Sequence, residues 1–125
     1  MTTVLISGSR SITELPKSAI ESLDKIIDLN FEILIGDACG VDYLVQEYLI
    51  SKSYEKVKVF YSLFKGNGKP RNSLFENIVG IYGNYTDRDK AMCAIADYGL
   101  AIWDGKSRGT MANIERVPKT KIIRV

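Results

Sequence analysis

The chain contains no histidine and only two cysteines, Cys39 and Cys93, neither of them in a CxxC or Cys/His cluster. A structural zinc site therefore lacks its ligand set, and two free thiols suit a reducing compartment. Long apolar runs are missing too: none approaches the roughly 20 residues needed to span a bilayer. The opening Met1-Thr2-Thr3-Val4-Leu5-Ile6 lacks the basic start and extended apolar core of a signal peptide. Repeats and low-complexity tracts are absent. Lysines and arginines are scattered rather than gathered into a stripe, and the formal net charge is only +2, which weighs against nucleic acid as a partner. These absences predict a soluble, cytoplasmic protein with no membrane partner, no metal and no resident cofactor.

What remains is an ordinary globular composition, 46% hydrophobic and 26% charged over 125 residues, which predicts one domain, 1–125, with one core. Short β-branched or aromatic runs recur at Thr3–Ser7, Phe31–Ile35, Val57–Tyr61, Tyr98–Trp103 and Lys121–Val125. Unbroken triplets such as Val4-Leu5-Ile6 and Ile33-Leu34-Ile35 suggest strands buried on both faces, the mark of a parallel sheet. Helical spacing fills the intervals: from Pro16, in the first turn, to about Leu29; from Val41 to Ile50; a third helix capped by Thr86; and a short fourth from Gly109-Thr110 to before Pro118. The pattern predicts an α/β, Rossmann-like three-layer fold with a mostly parallel sheet of about five strands. Leu63 to Tyr85, rich in glycine and without a clean period, reads as a long loop, a functional lid or a surface excursion.

Four polar, glycine-bearing segments follow strands or open helices. Ser7-Gly8-Ser9-Arg10 offers a tight turn with donors suited to phosphate or carboxylate. Gly36-Asp37-Ala38-Cys39-Gly40-Val41-Asp42 exposes amides at a helix start, with Asp37 and Asp42 as acceptors for ribose hydroxyls; Asp42 reads equally well as a first-turn carboxylate favouring the helix dipole. Thr86-Asp87-Arg88-Asp89 reads either as a ligand-facing Arg88 and Asp89 or as a solvated salt-bridge cluster. Asp104-Gly105-Lys106-Ser107-Arg108-Gly109-Thr110 looks like a phosphate cradle built by Gly105, Ser107, Gly109 and Thr110. Neither a Walker A loop nor a dinucleotide GxGxxG fits. In an open parallel sheet all four segments fall on the carboxyl edge, where ligands bind.

This ordered set (Gly8-Ser9-Arg10, Gly36 to Asp42, Arg88 to Met92, Trp103 to Thr110) resembles the SLOG superfamily, which groups the DNA-processing protein A family with LOG-type phosphoribohydrolases. Within it the small stand-alone YspA-like proteins look most similar. The resemblance runs from about residue 4 to residue 125. It implies a Rossmann-like fold binding nucleotides, NAD- or ADP-ribose-type derivatives, or nucleic acid. It places Gly8, Ser9 and Arg10 at the base or phosphate end, Asp37 and Asp42 near a sugar, and Gly105 to Thr110 on phosphate. It also implies self-association, with Tyr82 and Tyr85 as candidate contacts, and a conceivable role in phage defence or counter-defence. LOG-type enzymes carry a proline-glycine-glycine approach and a catalytic glutamate three residues beyond the threonine; here that position is Asn113, and Glu115 lies two places too far. The DNA-processing family has Arg-Asn-Arg where this chain has Asp87-Arg88-Asp89, which is less friendly to a polyanion.

Three readings follow. The first is a binding module that senses or sequesters a nucleotide-derived small molecule. The second is an N-glycosidase using Asp42, Asp37 or Asp104 in place of the absent glutamate and histidine. The third is a single-stranded nucleic-acid binder relying on Lys65, Lys69, Arg71, Tyr82 and Tyr85.

Overall fold

In the computed structural model, which describes residues 1–125, strands and helices alternate as β1 (Thr3–Gly8), α1 (Lys17–Asp28), β2 (Glu32–Gly36), α2 (Val41–Ser51), β3 (Val57–Ser62), β4 (Ile78–Ile81), α3 (Tyr85–Ile95), β5 (Tyr98–Trp103), α4 (Arg108–Arg116) and β6 (Thr120–Arg124). All six strands pair in parallel in one sheet ordered β4-β3-β2-β1-β5-β6. The architecture is Rossmann-like. From β1 the chain winds outward to β4, then returns past β1 to lay down β5, so strand order reverses between β1 and β5. Crevices in such sheets open at that reversal, outside the carboxyl ends of the strands.

Period-two alternation assigns side chains to the two faces. Val4 and Ile6 align with Ile33 and Ile35, which align in turn with Val57 and Val59. This face packs against Ala19, Leu23 and Ile26 of α1 and Val41, Val45 and Leu49 of α2 in the larger core cluster. The opposite face joins Leu5, Leu34 and Phe60 to Met92 of α3 and to Val117 just after α4. Leu23, Ile33, Leu34 and Leu49 are wholly buried, and each such side chain stabilises the fold by about 2 kcal/mol relative to exposure. The unbroken apolar triplets are therefore strands covered on both faces.

Three expectations are corrected. The sheet has six strands rather than about five, because Ile78–Ile81 inside the presumed loop pairs with β3. A Cβ at Gly80 would lie 2.8 Å from Leu63 Cδ2 and 2.9 Å from the Tyr61 hydroxyl, so those side chains pack directly over its backbone. The cap of α3 is Asn84, not Thr86: its side chain accepts the Asp87 N–H at 3.1 Å while the Asp87 carboxylate accepts the Asn84 N–H at 2.9 Å, a reciprocal capping box. Pro16 stands at the N-cap of α1, one place before its first turn.

The crossover from β3 to β4, residues 63–77, contains only a single tight turn at Gly66–Gly68. Gln46 of α2, wholly buried, holds it down. Its carboxamide accepts the Leu74 N–H at 2.8 Å and donates to the Asn72 carbonyl at 3.3 Å and the Gly36 carbonyl at 3.2 Å. The crossover thus lies against α2 where a helix would otherwise pack, and it carries Arg71 to the carboxyl edge of β2.

Candidate functional site

A cavity of about 570 Å³ opens at the carboxyl edge, and its walls come from the loops after β1, β2 and β5 together with α3 and α4. The sequence-predicted Gly8, Arg10, Gly36, Ala38, Asp42, Arg88, Asp89, Asp104, Ser107, Gly109 and Thr110 all line it. Ile6, Ser7, Ser11, Arg71, Tyr85, Met92, Arg108 and Asn113 complete the lining; of these the sequence offered Arg71 and Tyr85 only as nucleic-acid or assembly contacts and Asn113 only as the residue in place of a glutamate. Arg10, Asp42 and Ser107, nearly a hundred residues apart, share one hollow.

Four predicted contacts lie outside the cavity. Ser9 is wholly buried: its carbonyl accepts the Val41 N–H at 3.3 Å, and its hydroxyl accepts the Asp104 N–H at 3.0 Å. It ties the β1 loop to the start of α2 and to the β5 loop, so it positions the walls. Gly40 adopts φ 75°, and a Cβ there would lie 2.5 Å from the Arg10 Cα; glycine is needed for the two loops to touch. Gly105 turns the chain beneath Arg124 at φ 81°. Asp37 is the fourth.

Asp37 is buried as a counterion rather than offered to a sugar. It accepts the Arg71 N–H at 2.8 Å, the Arg71 guanidinium at 3.0 Å and the Arg88 guanidinium at 2.6 Å. Burial alone would raise its pKa; the Arg71 hydrogen bonds and the charges of Arg71 and Arg88 outweigh that and hold the carboxyl below its usual range. Arg88, itself buried, also bonds Asp89 through Nε at 3.1 Å and Nη2 at 2.8 Å. The Arg88 cluster is therefore an interior network and not a solvated salt bridge. Tyr85 sits against it, with the Arg71 guanidinium 3.8 Å and that of Arg88 5.5 Å from the ring centroid. Tyr85 is half-buried there, whereas Tyr82 stands 81% exposed.

Asp104 is engaged differently. One oxygen accepts the Lys106 and Ser107 N–H groups, both at 2.8 Å, and the other accepts the Ser11 hydroxyl at 2.8 Å. The Ser107 and Lys106 amides, with Ser11, hold its pKa far below the usual carboxylate range. Trp103 Nε1 donates to the Ser107 carbonyl at 3.0 Å. Together these contacts aim the first turn of α4 at the cavity. The Arg108, Gly109 and Thr110 amides there find no protein acceptor. A Cβ built on Gly109 meets nothing within 4 Å, so no protein atom covers the backbone there.

Asp42 stands apart from the other carboxylates. It is buried, lines the cavity and accepts only the Ala38 N–H, at 3.1 Å. Burial pushes its pKa up to about 7; the charge of Arg88 and the Ala38 amide resist that rise without cancelling it. It is accordingly neither a plain helix-dipole carboxylate nor a fixed anion. Asn113, where LOG-type enzymes have glutamate, is buried, and its Oδ1 accepts from Arg116 at 3.1 Å and from the Cys93 thiol at 3.4 Å.

The cations divide into two classes. Arg71 and Arg88 are neutralised by Asp37 and Asp89. Arg10 and Arg108 enter no ion pair and stand exposed on the cavity wall. The arrangement can receive a compact anion near Arg10, Arg108 and a helix N-terminus, with hydroxyls and the partly protonated Asp42 beside it. No group of histidine, cysteine, aspartate and glutamate in the structure could hold a metal ion, and no helix is long and apolar enough to cross a membrane.

No protein-family model matches the chain, and no curated protein matches it. Its fold is similar to the solved structure of DNA processing protein A from Helicobacter pylori, a protein with a unique single-stranded DNA binding mode, at a TM-score of 0.61 and 19% sequence identity. The similarity covers 97% of this chain and 64% of that one. It agrees, at the level of the fold, with the more distant relative named by the sequence.

Proposed function

We propose that the chain is a binding module whose cavity takes the phosphorylated sugar of a nucleotide-derived small molecule, of the mononucleotide or ADP-ribose type. One observation carries this reading: Arg10 and Arg108, neither in an ion pair, line the same hollow as three acceptor-free amides of α4. That is the donor set a terminal phosphate requires. The volume of about 570 Å³ suits a ligand of that size. Ser7, Ser11, Thr110 and Asn113 supply neutral groups for sugar hydroxyls, and Asp42 takes the ribose role formerly shared with Asp37. The SLOG, YspA-like resemblance, with sensing or sequestration in phage defence or counter-defence and self-association, belongs to this proposal.

Isothermal titration of the chain with adenosine monophosphate, ADP-ribose and ribose 5-phosphate tests it. Saturable one-to-one binding that Arg10→Ala weakens by about ten- to a hundredfold, with melting temperature unchanged, supports the cradle. Equal affinity in the variant overturns it.

A second reading, single-stranded nucleic acid, rests on its own observation. Phe64 and Tyr82, 66% and 81% exposed, pack edge to face at 5.7 Å on the carboxyl side of β3 and β4, and Lys65 and Lys69 follow Phe64 in the crossover. Exposed aromatics next to lysines form a stacking platform for bases, and the similar fold of a single-stranded DNA binder favours this reading over the expectation against nucleic acid. Fluorescence anisotropy with labelled oligothymidylate separates the two. Strand binding falls steeply with salt and is lost in Tyr82→Ala; mononucleotide binding survives that substitution.

A further inference from the structure

The opposite end of the sheet carries a second hollow, of about 310 Å³, between the last turns of α1 and the amino ends of β1 and β5. Its floor is apolar. Phe31 and Tyr98 lie stacked with ring centroids 6.4 Å apart and planes at 15°, the side chains of Ile26 and Leu100 close the base, and Leu29 is left 55% exposed at the lip.

Three lysines ring this floor: Lys25, Lys119 and Lys121. Lys121 Nζ donates to the Ser22 hydroxyl at 2.9 Å, and Lys119 Nζ lies 5.7 Å from the Tyr98 centroid. None of the three forms an ion pair. The neighbouring acid, Asp97, gives its carboxylate to the Thr3 N–H at 2.9 Å and the Thr3 hydroxyl at 3.2 Å. Lys25 answers the C-terminal end of the α1 dipole, which accounts for one lysine and not for the other two.

Small-molecule sites are mostly apolar hollows of roughly 300–1,000 Å³ with a few placed polar groups; this one has the lining and sits at the lower limit of size. Its apolar floor gains by covering, and its rim of three lysines, of which Asp97 answers Lys119 in part, gains by an anion. One ligand satisfies both. We infer that this hollow is a second binding site, separate from the carboxyl-edge cavity, for a small planar aromatic carboxylate, its ring lying along Phe31 and Tyr98 and its head group among Lys119, Lys121 and Lys25.

The test is isothermal titration of the full chain with 2-naphthoate and with its neutral isostere 2-naphthamide. The proteins are the unaltered chain, the exposed-residue double variant Lys119→Glu/Lys121→Glu, Leu29→Asp at the lip, and Gly109→Val in the other cavity. Circular dichroism confirms that each variant is folded, and sedimentation equilibrium reports assembly. The expected result is one-to-one naphthoate binding, weaker by about tenfold or more for the amide and for the charge-reversed variant. Leu29→Asp weakens it too, and Gly109→Val leaves it unchanged.

Equal affinity for acid and amide, or an undiminished affinity after charge reversal, overturns the site. Loss of naphthoate binding in Gly109→Val would place the ligand in the carboxyl-edge cavity and overturn it as well. A dimer that Leu29→Asp dissociates, with no naphthoate binding, would show that a second copy covers this face and would also overturn it. None of these outcomes depends on the nucleotide reading, whose failure would appear only in titrations with phosphorylated ligands.

Discussion

Replacing Asp42 with asparagine should make the protein more stable near neutrality, and the gain should vanish in acid. In the fold the Asp42 carboxyl is raised from its ordinary value of 3.8 to about 7, chiefly by burial, a difference of about three pH units. At about 1.4 kcal/mol per unit the ceiling is about 4 kcal/mol; relaxation around the charge lowers the expectation to about 2 kcal/mol. The sign follows from proton binding: between about pH 4 and pH 7 the folded state holds a proton that the unfolded state has released, so stability falls as pH rises through that window. The cost is absent below about pH 4 and complete above about pH 7. Asparagine cannot ionise, while its carbonyl can still accept the Ala38 N–H. Any pH-independent effect of the amide cancels in a double difference, so urea unfolding of both proteins at about pH 4.5 and pH 8 isolates the charge term. A double difference below about 0.5 kcal/mol, or one of opposite sign, would refute the claim that Asp42 is held neutral by burial.

The neighbouring carboxylate behaves in the opposite way. Asp37→Ala leaves Arg71 without its counterion and Arg88 with Asp89 alone and should destabilise by about 3 kcal/mol, read as a lowered urea midpoint. Asn84→Ala removes one half of the α3 capping box and should cost about 1 kcal/mol, measured by thermal unfolding. Gly109→Val places a side chain in space that no protein atom occupies, so the melting temperature should change little while affinity for a phosphorylated ligand falls about tenfold or more; unchanged affinity in titration would remove the α4 cradle.

Much of the fold was legible because burial leaves a mark on sequence. Val4-Leu5-Ile6 and Ile33-Leu34-Ile35 are unbroken because helices cover both faces, and parallel topology then brings every post-strand turn to one edge. β4 escaped because it is four residues long, contains Gly80 and is an edge strand, so nothing demanded a conspicuous apolar run. The cap was legible in principle as Asn84-x-x-Asp87, a spacing that outranks the nearer Thr86. The roles of the three aspartates were not legible. Asp37 meets partners 34 and 51 residues away, and Arg71 reaches it only because Gln46 holds the crossover down. Whether a carboxylate faces a ligand or an arginine is set by such distant neighbours, which no local pattern records.

That sorting of the aspartates bears on the choice between binding and turnover. Cleavage of a glycosidic bond needs a group that can give a proton to the departing base near neutrality. Asp37 is held low by two guanidiniums and lies off the cavity surface, and Asp104 is held low by the amides that it caps. Asn113 cannot exchange a proton at all. Asp42 alone combines a cavity-facing position with a pKa near 7, the condition under which a carboxylic acid remains a proton donor at neutral pH. Any N-glycosidase activity must then run through it, and Asp42→Asn would abolish release of free base, followed by chromatography, while stabilising the fold. A module that only binds would still bind nucleotide in the same variant, because asparagine keeps a hydrogen-bonding group toward the ribose. Base release that survives the substitution would mean the proton comes from elsewhere, and the assignment of Asp42 would fall with it.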